Sequence, residues 1–274
     1  MSRYIQVTIL DTGISHCALD IAGRVETGKM VLAEMFVKTP VHPQVELLLL
    51  PLLLLLLPQK ADSAGIDWVF FADTLNFSFW TADTAPQYEV IYKGERYTGY
   101  LAFCAAINRA LDSGVALTSP RFYSGVGEQE LGELLEGEGG VAIPLLNERL
   151  ACLKEVGDVL NEKWGGSFER VLEAAGNSAP KLLELVLENF PCFRDSGEFE
   201  GQRVSFHKRA QILVADLWCL FEGVGRGGLE HVDQLTMFAD YRVPQSLQHY
   251  GVLVYSGELA EVLAREELMQ PGCR

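Results

Sequence analysis

The sequence predicts a mostly α protein with one small β element. Apolar residues recur at three- and four-residue spacing along most of the chain after Tyr97, the period of one helix face. Strand-like character is confined to one stretch around residues 88–97. The chain has 274 residues, 49% hydrophobic and 22% charged. That is enough to bury a core without disulfide or metal staples.

The elements can be justified in chain order. Residues 1–60 carry five basic and five acidic side chains, and the remainder carries 17 and 32. The composition changes near Lys60, so we divide the chain into an atypical N-terminal segment, 1–60, and a helical domain, 61–274. The N-terminal segment contains Leu47–Leu57, ten leucines in eleven positions broken by Pro51. A bilayer span needs about 20 apolar residues. This run is shorter, contains a proline and is flanked by Glu46 and Lys60, so it reads as low complexity and not as a membrane segment. Asp11 and Asp20 interrupt the first apolar stretches, and no signal-peptide layout is present.

Tyr88-Glu-Val-Ile-Tyr92, the Lys93-Gly94 pair and a return through Tyr97 predict a hairpin. Tyr100, Leu101, Cys104, Ile107 and Leu111 then mark a helix, as do Leu146, Leu150, Leu153, Val156 and Leu160. The glycine-rich acidic stretches Gly125–Gly140 and Gly223–Gly228 read as loops or loop-flanked short helices. Asn177 or Ser178 can cap a helix with Pro180 in its first turn, ending near Pro191. Phe206 to Glu222 reads as one long helix, nearly apolar in its second half and therefore central. Gly257 to Met269 reads as a last amphipathic helix.

Several chemistries are disfavoured. The formal net charge of −15 repels polyanions, so direct binding of a nucleic-acid polymer is not expected. No GxxxxGK[ST], GxGxxG, HExxH or GxSxG pattern occurs. The six cysteines form no CxxC pair and the five histidines show no metal-ligand spacing. Neither a metal nor a cofactor is therefore expected, and reduced thiols in a cytoplasmic protein fit the cysteine pattern.

Three stretches can carry chemistry. Phe70–Trp80 packs five aromatics with Asp73 and Asn76. It reads either as a buried segment whose polar side chains satisfy nearby backbone donors or as an aromatic wall for a flat ligand. Arg203–Gln211 gathers Arg203, Lys208 and Arg209 in an acidic protein. Lys208 and Arg209 fall in the opening turn of the long helix, where the dipole disfavours cations. The cluster is either a surface ion-pair group or a phosphate site built on free N–H groups and basic side chains. Met237–Gln245 places Asp240 between aromatics, just ahead of a helix expected to begin at Pro244. Asp240 either pairs with Arg242 or caps that helix, or it is a carboxylate held at a bound base. One carboxylate near an anomeric carbon can hydrolyse an N-glycosidic bond, by activating water or stabilising an oxocarbenium-like cation.

Four blocks, FADTLNFSFW at 71–80, YTGYLAFCAAINRALDSG at 97–114, RVSFHKRAQILVADLW at 203–218 and MFADYRVPQ at 237–245, resemble the queuosine-salvage family of queuosine 5′-phosphate N-glycosylase/hydrolases. The similarity runs in order from about residue 67 to about residue 268. It implies a helical, DNA-glycosylase-like fold. It also implies release of queuine, a 7-deazaguanine-type base, from queuosine 5′-monophosphate for tRNA queuosine salvage. It maps the catalytic aspartate onto Asp240 and the base-stacking phenylalanine onto Phe238. Assigning Lys208 and Arg209 to the 5′-phosphate follows from charge and helix position, not from the resemblance. Family members carry a pocket histidine near an Asn-Pro turn, for which His42, followed by Pro43, is the nearest match. They also continue past the position of Arg274 into a helical segment that lends aspartates and a tyrosine to the base pocket. The expected function is an N-glycosyl hydrolase of that mononucleotide, with a catalytically impaired, shortened nucleotide-binding protein as the alternative.

Overall fold

The computed structural model describes residues 56–58, 60–81, 85–240, 242–249 and 251–265. Helices dominate these residues, with two antiparallel two-stranded sheets, which bears out the mostly α reading. The leucines before Leu56, His42 and residues 266–274 lie outside the described residues.

Helix α1 (Ser63–Thr74) starts where the Asp62 carboxylate accepts the Gly65 N–H at 3.0 Å, an N-cap. Only glycine fits at position 65: an added Cβ would lie 2.3 Å from the Lys60 carbonyl. Strands β1 (Glu89–Tyr92) and β2 (Glu95–Thr98) pair with Val90 opposite Tyr97. Lys93 and Gly94 both have positive φ, 50° and 85°, as a tight two-residue turn requires. Helix α2 (Gly99–Asp112) follows directly, and the sheet packs on it.

Short helices α3 (Pro120–Tyr123) and α4 (Glu128–Leu135) occupy the glycine-rich acidic region, followed by the long α5 (Leu146–Lys163). At Gly157 of α5 an added Cβ would lie 2.7 Å from Ser124 and 3.0 Å from the Tyr123 ring, so glycine permits that close approach. Helix α6 (Glu169–Ala174) leads to α7 (Ala179–Asn189), capped by Ser178 through the Lys181 N–H at 3.4 Å.

Strands β3 (Ser196–Phe199) and β4 (Gln202–Ser205) make a second hairpin, which the sequence reading did not anticipate. Its side chains are almost all exposed, so no apolar alternation announced it. The long helix is shorter than the expected Phe206–Glu222: α8 runs Lys208–Leu220, with Phe206 and His207 linking it to β4. Helix α8 is buried over most of its circumference and packs directly against α1, the place expected of a central helix.

The body that contains α1–α8 lies within residues 24–238. Its core is contiguous and aromatic. Phe70 stacks on Phe168 with ring centroids 4.2 Å apart and meets Phe190 and Phe193, while Phe71 meets Phe103 and Tyr123. Each fully buried phenylalanine contributes about 1.5–3 kcal/mol relative to exposure.

The second unit includes the described residues from 239 onward. Its described part holds α9 (Arg242–His249) and α10 (Gly257–Ala264). Helix α9 begins two residues before the expected Pro244. No helix among the described residues is long and apolar enough to cross a membrane.

Candidate functional site

The end of α1 and the start of α8 meet through arginines. Arg209 donates from Nη1 to the Thr74 carbonyl and from Nη2 to the Cys192 carbonyl. Its guanidinium lies 4.9 Å from the Phe77 ring centroid and 5.3 Å from that of Phe193. Arg149, from α5, is fully buried. It donates to the carbonyls of Pro144 (2.7 Å), Leu75 (2.5 Å), Phe77 (2.6 Å) and Ser78 (3.3 Å). Its guanidinium carbon also lies over the Phe77 and Phe79 rings, 4.6 and 4.8 Å from their centroids. Burial lowers its pKa to about 10, so it stays charged at neutral pH. Arg149 thus fixes the aromatic loop 75–79 through its own backbone and Arg209 the end of α1 just before it, an arrangement in which a planar fork of donors outperforms an ammonium.

The Phe70–Trp80 stretch divides between its two readings. Phe70, Phe71, Asp73 and Asn76 are buried in or just after α1, Phe77 and Phe79 are half-buried, and Trp80 is 58% exposed. Asp73 and Asn76 do not serve backbone donors as expected: Asn76 Nδ2 donates to Asp73 Oδ1 at 3.3 Å. Asp73 Oδ2 has no hydrogen-bond partner among the described residues. A second buried carboxylate, Asp216, enters from α8. Burial pushes both carboxyls above the usual range. Asp73 adds to the effect on Asp216, while Lys208 opposes it for both.

The predicted cations sit in the first turn of α8, as expected. The N–H groups there are not all free, however. The Lys208 N–H donates to both Asp195 carboxylate oxygens at 3.1 Å, so a capping acid already occupies the end of the helix dipole. Lys208 and Arg209 are half-buried.

One turn further, the buried Gln211 closes the geometry. Its Oε1 accepts from the Thr236 N–H at 2.7 Å and the Thr236 hydroxyl at 3.0 Å, and its Nε2 donates to the Phe206 carbonyl at 3.1 Å. The strand of chain that leads into Phe238 is thereby tied to the opening of α8. Phe238 is half-buried. In the second unit, Asp240 is half-buried, and its carbonyl accepts the Val243 N–H at 3.0 Å at the entry to α9.

The Cys152 and Cys192 thiols meet beside Arg209; their mutual hydrogen bond, helped by Arg209, lowers Cys152 to about 7, and the same bond together with burial raises Cys192. The cysteines at 104, 152, 192 and 219 are unbridged. No group of three or more potential metal ligands occurs among the described residues.

The family model described as "Queuosine salvage protein" matches residues 56–274. The chain belongs to the queuosine salvage protein family. Relatives within reach of this queuosine salvage chain include proteins named queuosine 5′-phosphate N-glycosylase/hydrolase. The one from Mus musculus is 48% identical over 215 residues, 78% of this chain and 64% of the relative. Those from Bos taurus and Schizosaccharomyces pombe are 48% and 39% identical, over 79% and 77% of this chain and 64% of each relative. The chain thus spans about 64% of the length of these curated relatives.

Sequence pattern alone does not single out Arg149, Asp216 or Gln211 as organisers of the region. Arg149 sits four residues before Leu153 on the apolar stripe of α5, and Asp216 interrupts the apolar run Ile212–Trp218. A charge at a core position is a signal of a partnered buried group.

Proposed function

We propose that the chain is an N-glycosyl hydrolase that cleaves the N-glycosidic bond of queuosine 5′-monophosphate and releases queuine for tRNA queuosine salvage in the cytoplasm. The observation that carries this is the family match across residues 56–274, with relatives at 36–48% identity named for that reaction. Water adds to the anomeric carbon as its bond to the base nitrogen breaks. The hydroxyl stays on the sugar, a proton goes to the base, and the products are ribose 5-phosphate and queuine.

In this reading Asp240 activates the water or stabilises the developing cation. Phe238 stacks on the flat base. Lys208 meets the 5′-phosphate, and Arg209 adds a positive charge fixed in place by its contacts with Thr74 and Cys192. The substrate is the free mononucleotide and not a polymer, consistent with a formal net charge of −15.

The test is chromatographic detection of free queuine. Asp240→Asn is expected to lower the release rate by at least about 100-fold while nucleotide binding persists. Turnover at the parent rate rejects the mechanism. Binding by the parent chain without any product marks it as a nucleotide-binding protein instead.

A further inference from the structure

We propose that Gln211 is a positioning residue that sets the base-stacking Phe238 in register with the opening turn of α8. This rests on the reading of Phe238 under the proposed function. Gln211 is 5% exposed, so its amide cannot turn to water for partners. It bonds to chain on both sides. Phe206, whose carbonyl takes the Nε2 proton, lies two residues before Lys208. Thr236, whose N–H and hydroxyl both point at Oε1, lies two residues before Phe238.

The stretch after the 3-10 turn at Val232–Gln234 has no helix or strand ladder to hold it until α9. Met237 within it is 64% exposed, so burial of that side chain does not anchor it. The carboxamide is suited to the role because it offers an acceptor and a donor at once. A glutamate would lack the donor for Phe206, and a methionine of similar length would lack both. Breaking the bridge leaves α8 packed on α1 but frees the segment that presents the ring. Small displacements of a positioning group carry large penalties in recognition and rate.

The experiment is a double-mutant cycle on the full chain. Calorimetry in an Asp240→Asn background, where nucleotide binding persists without turnover, gives the Kd for queuosine 5′-monophosphate and for the dephosphorylated nucleoside. Gln211→Met is expected to weaken both ligands about tenfold and equally, because the lost contact is to the base. Phe238→Ala is expected to weaken both about 30-fold. The double variant should bind within about twofold of Phe238→Ala alone, since the bridge then has no ring to place. Thr236→Val, which deletes one of the bonds to Oε1, should weaken binding about threefold; its cycle with Phe238→Ala decides the matter should Gln211→Met not fold.

Two results overturn the proposal: losses that multiply in the double variant, or an unchanged Kd in Gln211→Met and Thr236→Val. Queuine release by the parent reports separately on the hydrolase reading. Nucleotide binding without release removes that reading and leaves the cycle decisive. A parent chain that does not bind the nucleotide removes both.

Discussion

The two hairpins share a design and differ in what they touch. Both close with two residues of positive φ ending in glycine, Lys93-Gly94 and Glu200-Gly201, and both pair four residues with four. The first is embedded. Tyr88, Val90 and Tyr92 face inward, Tyr97 lies opposite Val90, and the Tyr88 hydroxyl donates to the Leu135 carbonyl at 2.7 Å. The second buries almost nothing. Seven of its eight strand residues are exposed, Phe199 at 56% among them. An isolated two-stranded hairpin is marginal in water, so its form depends on its turn and on the chain it joins, whereas the first derives its stability from α2 and the core. The difference teaches that turn chemistry sets a hairpin's shape, and burial sets its contribution to stability.

That contrast can be broken by substitution, with denaturant unfolding as the measurement. Val90→Asp places an unpartnered carboxylate where the parent side chain is fully buried. It is expected to cost more than about 3 kcal/mol, a large share of the roughly 5–15 kcal/mol that stabilises a domain. Tyr88→Phe removes one buried donor and leaves the Leu135 carbonyl without it, for a loss of about 1–2 kcal/mol. Phe199→Ser, in the exposed hairpin, is expected to change stability by less than about 0.5 kcal/mol. A Phe199→Ser loss equal to that of Tyr88→Phe would show that the second hairpin packs against something in solution, and the comparison would fail.

The same contrast explains what could be read from the sequence. The first hairpin is legible because the β-favouring run Tyr88-Glu-Val-Ile-Tyr92 meets a Lys-Gly turn and returns through Tyr97. Helices α2, α5 and α7 were legible because their apolar stripes keep the helical period, and Ser178 and Pro180 mark the start of α7. The second hairpin left no such trace, since Ser-Gly-Glu-Phe and Gln-Arg-Val-Ser face solvent on both sides. The long helix was therefore begun two residues early.

At the site, the aromatic and cationic blocks could be found from residue types, and Asp240 and Phe238 from the resemblance. Their support could not. Asp195 lies 13 residues from the N–H it caps, Thr236 lies 25 from Gln211, and Arg149 lies more than 70 from the carbonyls of Leu75 and Phe77. Contacts of that range carry no periodic signature, so only the folded chain reveals them.

The buried arginine of α5 has one more implication. A lysine there could not span the carbonyls of residues 75, 77, 78 and 144 while sitting over two rings. Because the guanidinium keeps its proton throughout the physiological range, ordinary acidification cannot unfasten the loop it grips. The conformation of loop 75–79 is therefore set once, when the chain folds, and holds over that whole range.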